Sequence, residues 1–249
     1  MKKFLLEICV DSFESARRAS ENGADRLELC GDLLVGGVSP SPFLIEQVVG
    51  RIKTPVNVLL RPRFGDFCFT GEEKEVLLRE IDFCAKAGVN GIVIGALTPE
   101  GELDVPFLSR CMAAAGDLEV TLHRCFDVCR DGFAAIETAC DLGIQTILTS
   151  GQMATAPRGA ENLKAYRNFA ADRIHLMAGS GVSAANIPQL HAETGICHFH
   201  LSAKASEPGP MQFRREGVPM GLPMASEFDR QYASPAAVRA AREAIDSLQ

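Results

Sequence analysis

One short phrase recurs four times along this chain of 249 residues. In each copy a helical segment ends on a small residue and a glycine, and a short apolar strand follows at once. The copies are ENGADRLELC, KAGVNGIVIG, DLGIQTILTS and ETGICHFHLS, and their glycines are Gly23, Gly88, Gly143 and Gly195. Glycine suits the left-handed backbone position just beyond a helix end. The phrase therefore predicts regular alternation of helices and strands.

Other strands lie between these phrases and bring the count to eight. They are KFLLEIC, TPVNVLLRP, DLEVTLHR and RIHLMAG. Segments with helical spacing separate the strands; the first opens at Ser12 and another begins near Ser183. The last, SPAAVRAAREAIDSLQ, closes the ring. Eight such units predict a single α/β domain, a closed (β/α)8 TIM barrel over residues 1–249, with an open doubly wound sheet as the alternative.

Residues 203–233 interrupt this rhythm. Prolines and glycines are frequent there and no period is visible, so we predict a long connection between strand 8 and the final helix. Long loops at this end of a barrel usually cover or build the functional site.

Composition narrows the range of partners and compartments. The net charge is −7 and no block of Lys or Arg stands out, which argues against nucleic-acid and membrane partners. Glu7 interrupts the apolar run at the start of the chain, and no stretch approaches the ~20 apolar residues of a membrane span. The nine cysteines lie scattered in apolar segments, as reduced thiols do. We expect a cytoplasmic protein.

Strand alternation directs a polar set of side chains toward the barrel axis. In strand 8 the apolar Cys197, Phe199 and Leu201 alternate with polar residues. Alternate residues point to opposite faces of a strand, and only the apolar set suits the face that packs on the helices. Applied to strands 1, 2, 3, 5 and 8, this rule predicts that the inward residues include Glu7, Cys9, Glu28, Cys30, Asn57, Arg61, Thr121, His123, His198, His200 and Ser202.

Burying so many ionisable groups is costly unless they are paired or hydrogen-bonded. A ligand site at the carboxyl ends of the strands would explain them, because barrel active sites lie there. The alternative is a structural network in which Glu7 and Glu28 bridge Arg61 and Arg63.

Two motifs at strand ends carry candidate chemistry. In RPRFGDFCFT, Arg61 either anchors an anion or neutralises the inward glutamates. In LHRCFD, His123 is a candidate general acid or base, and Asp127 is placed to orient it or a ligand. A structural hydrogen bond is the alternative for both of these residues.

Glycine-rich turns follow strands 6 and 7. In MAGSGV, Gly179 and Gly181 let backbone N–H groups approach a phosphate at the start of a helix, although a tight turn needs glycines too. TSGQ, which contains Ser150, is a weaker version of the same pattern.

Cys9 and Cys30 end neighbouring strands on the inward parity. Two close sulfurs would suit a soft Cu(I) ion. Small apolar residues in a core are the alternative. CFDVC places Cys125 and Cys129 four residues apart, but no second cysteine pair stands nearby to complete a zinc site.

Taken together, the motifs resemble the CutC family of copper homeostasis proteins. The matching stretches run in order through most of the chain: LEIC (6–9), NGADRLELC (22–30), GGVSPS (36–41), RPR and GDF within 61–67, HR and FD within 123–127, LTSGQ (148–152) and MAGSGV (177–182). The resemblance implies a TIM barrel and a cytoplasmic role in copper handling, with Cu(I) bound by cysteine in some members.

Residue by residue, the resemblance carries over a set of polar positions. These are Glu7, Glu28, Arg61, Arg63, Asp66, His123, Arg124, Asp127, Ser150, His200 and Ser202, with Cys9 and Cys30 on the family's cysteines. Three positions depart from the family pattern: Phe64 replaces a usual glycine, Cys125 replaces a common alanine, and Lys204 is not a family feature.

Three functional hypotheses follow. The first is Cu(I) binding by Cys9 and Cys30 with a nearby histidine. The second is an enzyme of isomerase, epimerase or lyase type acting on a small anionic or phosphorylated metabolite. Its catalytic residues would be Glu7, Glu28, His123, Asp127 and His200, and its ligand-binding residues Arg61, Arg63, Asp66, Arg124, Ser150, Gly179, Gly181 and Ser202. The third is a non-catalytic homo-oligomeric scaffold.

Overall fold

The strands form a closed parallel barrel, as predicted. The structure is a computed structural model and describes residues 4–218, 220–222 and 225–248. Neighbouring strands follow chain order, and β1 pairs with β8 to close the ring. The strands are β1 Leu5–Val10, β2 Arg26–Leu29, β3 Val56–Leu59, β4 Gly91–Ile94, β5 Glu119–Leu122, β6 Thr146–Thr149, β7 His175–Ala178 and β8 His198–Leu201.

Within the described residues, eight α-helices surround the barrel. They are α1 Phe13–Glu21, α2 Pro42–Val49, α3 Gly71–Ala87, α4 Val105–Ala115, α5 Gly132–Asp141, α6 Ala160–Ala170, α7 Ile187–Thr194 and α8 Pro235–Asp246. No helix in the described ranges is long and apolar enough to cross a membrane. The (β/α)8 prediction is confirmed.

Local signals for the helix ends are confirmed as well. The Ser12 side chain accepts a hydrogen bond from the backbone N–H of Ser15 at the start of α1. The four glycines of the repeated phrase all have left-handed backbone angles, from φ 72° at Gly195 to φ 106° at Gly23. Each glycine therefore ends its helix, as its conformational freedom predicts.

One predicted helix start is wrong by a turn. The helix expected near Ser183 begins at Ile187. The Asn186 side chain accepts the backbone N–H of Ser183, which closes a separate turn. Pro188 then lies in the first turn of α7, where its missing N–H is not needed.

The strand pleat divides the side chains into two sets. Leu6, Ile8, Leu27 and Leu29 face the helices and are fully buried in the main hydrophobic core. The opposite parity fills the barrel interior, where Glu7 and Asn57 have no exposed surface. The inward assignment of the polar residues therefore agrees with the structure.

Residues 203–233 contain a β-hairpin that the sequence analysis did not predict. Its strands are β9 Lys204–Pro208 and β10 Asp229–Ala233, and they pair antiparallel. Arg18 of α1 holds the hairpin through an ion pair with Glu207 at 2.6 Å and a cation–π contact with Tyr232. Positions 219, 223 and 224 of this segment lie outside the described residues, as do 1–3 and 249 at the ends of the chain.

Candidate functional site

A pocket of about 910 Å³ opens at the carboxyl end of the barrel. Nine of the predicted site residues line it: Cys9, Glu28, Arg61, His123, Arg124, Asp127, Gly181, His200 and Ser202. Glu7, Cys30, Arg63, Asp66, Ser150 and Gly179 are not among its lining residues.

Three potential metal donors converge on one side of the pocket. Ligand atoms of Cys9, Glu28 and His200 all lie within 4.8 Å of one another, and all three residues are buried. Strand register brings them together, because Cys9 of β1 lies opposite Glu28 of β2 while β8 flanks β1 on its other side. We call this set the donor cluster.

Glu7 fixes the orientation of the His200 ring. Glu7 Oε1 lies 2.8 Å from His200 Nδ1, while His200 Nε2 faces Glu28 Oε2 at 3.7 Å. Burial alone would lower the pKa of His200. Cys9, Glu28 and Glu7 outweigh burial and raise that pKa well above its ordinary value.

Arg26, which the sequence analysis did not single out, is the ionic partner of Glu7. Arg26 Nε donates to Glu7 Oε2 at 2.5 Å, and Nη1 donates to Glu119 Oε2 at 3.1 Å. Burial raises the pKa of Glu7, but the charge of Arg26 and the hydrogen bond from His200 lower it to about 2. The interpretation that Glu7 and Glu28 bridge Arg61 and Arg63 is therefore wrong.

The alternation within strand 2 contains the signal that would have identified Arg26. Arg26 precedes Glu28 and Cys30 at spacing 2, so the same parity argument directs it inward. Glu28 has no arginine paired with it in the described part of the chain, and its charged neighbour is His200 at 3.7 Å. Burial and the neighbouring Glu7 raise its pKa, although the charge of His200 opposes them.

The two predicted copper thiols have different surroundings. Cys9 belongs to the donor cluster, whereas Cys30 does not. The Cys30 thiol donates to Glu28 Oε2 at 3.4 Å and has no exposed surface. Burial and the charge of Glu28 raise the pKa of this thiol well above its ordinary value, which keeps it protonated.

Arg61 lies on the β3 side of the pocket, apart from the glutamates. Its Nη1 donates to the carbonyl of Gly37 at 3.2 Å and its Nη2 to the carbonyl of Gly65 at 2.7 Å. The guanidinium also packs 4.8 Å from the centre of the Phe67 ring. The prediction that Arg61 neutralises the inward glutamates is wrong, because both terminal nitrogens of its guanidinium donate to backbone carbonyls instead.

His123 follows β5 and is held as a neutral ring. The backbone N–H of Cys125 donates to His123 Nδ1 at 3.1 Å, so the ring proton lies on Nε2. Burial and the charge of Arg61 lower the pKa of His123 to about 3. Gly95 makes room for the ring, since a Cβ there would lie 2.7 Å from Nδ1.

Asp127 does not orient His123, contrary to one expectation. Its carboxylate accepts from Thr149 Oγ1 at 2.6 Å, from the backbone N–H of Ser150 at 3.0 Å and from Arg124 Nε at 2.7 Å. Asp127 therefore holds the loop after β6, and Arg124 and Ser150 belong to the same network.

Arg63 and Asp66 face away from the pocket. Arg63 pairs with Asp66 at 3.0 Å and with Glu73 of α3 at 2.7 Å, on an accessible part of the β3–α3 loop. β3 ends at Leu59 and the chain bends over residues 62–65, so the alternation of the strand no longer applies to Arg63. Phe64, the departure noted above, is 69% exposed beside them.

The loop after β7 forms another wall of the pocket. Ser180 and Gly181 have φ near 70°, a conformation that glycine adopts without strain. Gly179 packs below the pocket, where a Cβ would lie 2.5 Å from Leu148. The backbone N–H of Ser183 donates to the Asn186 side chain, so this N–H group is not free to bind a phosphate at the predicted site.

These observations define a TIM-barrel protein with a buried thiol–carboxylate–imidazole cluster at the carboxyl end of its barrel. The CutC family model matches residues 4–205, and the chain belongs to the CutC family. A CutC family protein from Bacteroides fragilis is 42% identical over 250 residues, covering 100% of this chain and 98% of the relative.

Solved structures agree with this assignment. A CutC protein from Streptococcus agalactiae, named as a candidate copper homeostasis protein, matches with TM-score 0.76 and 28% identity. The match covers 80% of this chain and 98% of that one. A phosphoribosylanthranilate isomerase from Thermotoga maritima matches with TM-score 0.58 at 13% identity over 98% of this chain and 99% of the enzyme, which shows a shared fold alone.

Proposed function

We propose that this protein binds a Cu(I) ion through the donor cluster, with Cys9 and His200 as the main ligands and Glu28 beside them. The convergence of these three side chains within 4.8 Å carries the proposal. The family's association with copper homeostasis supports it. Cys30 is then not a metal ligand, and it supports the site through its hydrogen bond to Glu28.

The donor types fit the ion. Thiolate sulfur is the soft ligand that Cu(I) prefers, and imidazole also binds copper. Metal-binding histidines commonly give their second ring N–H to a carboxylate, and Glu7 lies in that relation to His200 Nδ1. Histidine binds a metal as the neutral ring, and the pKa of His200 is raised, so binding would release a proton from that ring. The carboxylate of Glu28 is a harder donor, which makes Zn²⁺ the competing ion to test.

The test is an anaerobic competition for Cu(I) against the chelator bicinchoninate, using the parent and two cysteine variants. Cys9→Ser removes a ligand and should weaken affinity by at least about 100-fold. Cys30→Ser is the matched control and should change affinity by less than about tenfold, the lower end for a residue that only supports a ligand.

The proposal is wrong if Cys9→Ser retains the parent's affinity. It is also wrong if the parent binds Zn²⁺ but no Cu(I) under the same conditions. A larger loss in Cys30→Ser than in Cys9→Ser would reverse the assignment of the two thiols.

A second function, acid–base catalysis on a small metabolite, is favoured by the size of the pocket. Its volume of about 910 Å³ is in the range of small-molecule sites and far exceeds what an ion fills. Glu28 and His200 face each other at 3.7 Å, and one could remove a proton while the other returns it. The reaction class would be isomerisation, epimerisation or elimination.

Solvent exchange tests this second function without knowledge of the substrate. The protein is incubated in D2O with a mixture of small carboxylic and phosphorylated metabolites, and deuterium gain is followed by mass spectrometry. The parent should label at least one metabolite, and Glu28→Gln should not. Equal labelling by a folded Glu28→Gln would exclude Glu28 as the base, and no labelling by the parent would count against proton-transfer chemistry.

A further inference from the structure

One wall of the pocket carries a buried cation that has no carboxylate partner within the described ranges. Arg61 is 8% exposed, and among the residues that the structure describes no acidic side chain pairs with it. Its two terminal nitrogens donate to backbone carbonyls, while its Nε is buried without an acceptor in the described part of the chain. A buried charge without an opposite charge is costly, so a bound anion would stabilise Arg61 in this position.

His123 adds a second donor to this wall. Because Cys125 occupies Nδ1, the proton of the neutral ring lies on Nε2. That atom is buried and finds no acceptor among the described residues. A neutral imidazole N–H suits an oxygen atom of a ligand and adds no further charge to the site.

Phe67 joins the two donors into one surface. Its ring centre lies 4.8 Å from the Arg61 guanidinium carbon and 4.9 Å from the centre of the His123 ring. We call these three residues the Arg61–His123 wall. Leu33, Leu59 and Leu148 line neighbouring parts of the pocket, so the ligand's body meets an apolar surface.

The charges around the pocket limit the ligand to a single negative charge. Arg61 supplies the buried positive charge of this wall, and Glu28 on the neighbouring strand disfavours a second negative charge. Lys204 also lines the pocket but is exposed to solvent, and His200 is already bonded to Glu7. Arg124 is already paired with Asp127. A monoanion with a flat body fits this balance better than a phosphate dianion.

We propose that the Arg61–His123 wall binds the carboxylate of a planar organic acid. Arg61 neutralises the carboxylate, His123 Nε2–H donates to one carboxylate oxygen, and Phe67 packs against the flat body. This assignment rests on the second proposed function, because it names the class of small molecule that the pocket takes. It is independent of copper binding, which uses other side chains.

Benzoate is a suitable probe, with benzamide as its uncharged analogue. Isothermal titration should show binding of benzoate to the parent at millimolar concentration or better, and at least about tenfold weaker binding of benzamide. Arg61→Gln should weaken benzoate binding by about tenfold or more, and His123→Asn by a smaller factor. Lys204→Gln removes a pocket-lining cation outside the wall and should leave benzoate affinity unchanged.

The possible outcomes separate the assignment of the Arg61–His123 wall from the broader proposal that the pocket binds a small molecule. If Arg61→Gln binds benzoate as well as the parent while Lys204→Gln does not, the wall assignment is wrong but the pocket remains a small-molecule site. If the parent binds neither probe, the ligand class is wrong. Cu(I) affinity measured on folded Arg61→Gln should equal that of the parent, which separates this result from a general loss of structure.

Discussion

The protonation of His123 is set by its immediate neighbours. Burial lowers its pKa, the charge of Arg61 lowers it further, and the resulting value is about 3 against 6.5 for an ordinary histidine. Between these two values an unfolded chain binds a proton at this residue that the folded chain excludes. The stability that His123 contributes is therefore fully present above pH 6.5 and is lost as the pH falls toward 3.

This difference predicts the pH dependence of unfolding. Between pH 6.5 and 4.5, the parent should lose up to about 1.4 kcal/mol per pH unit more than a His123→Asn variant, because the variant lacks the buried ring. Urea unfolding of both proteins, without metal, at several pH values in this range measures the two slopes. Equal slopes would show that His123 is protonated in the folded state.

The pairing of β1 with β2 and β8 decides which charges meet. Glu7 lies opposite Arg26 on one side and opposite His200 on the other. A shift of one residue in either register would turn Glu7 toward the helices. Strand register therefore determines both the ion pair below the pocket and the orientation of the imidazole within it.

The Glu7–Arg26 pair predicts a large and recoverable loss of stability. Arg26→Met leaves the buried Glu7 carboxylate with His200 as its remaining ionic partner, and should lower the free energy of unfolding by about 3 kcal/mol, the lower end for a broken buried pair. Adding Glu7→Gln removes that charge and should restore much of the loss. Urea unfolding of the two single variants and the double variant gives the coupling between the residues. Purely additive effects would contradict the described ion pair.

Local side-chain signals mark the start of some helices but not of others. Thr70 and Glu73 form a reciprocal capping box at the start of α3, in which each side chain binds the other's backbone N–H. By contrast, α2 begins without a side-chain cap hydrogen bond, and its eight residues bury Ile45 and Val48 in the main core. Packing against the barrel stabilises a helix that is too short to be stable alone.

At the scale of the whole molecule, closure of the barrel creates the site. Glu7 and His200 are 193 positions apart in the chain and meet only because β8 pairs with β1. The same closure directs the carboxyl ends of all eight strands to one face. The donor cluster and the Arg61–His123 wall consequently lie in the same pocket but consist of different side chains.

The periodicity of the sequence determined the barrel and the inward parity of its polar residues. The pleat of a strand alternates strictly, so spacing alone separated Glu7, Glu28 and His200 from their helix-facing neighbours. The sequence motifs also identified the family.

The tertiary structure decided which of these residues interact. Spacing gives a residue's face but not its neighbour across the barrel, and so it could not show that Arg26 pairs with Glu7 or that Asp127 binds the β6 loop. It likewise could not distinguish the Cys9 and Cys30 thiols. Partner choice, burial and protonation depend on distances of a few ångströms between distant parts of the chain, and only the folded barrel fixes those distances.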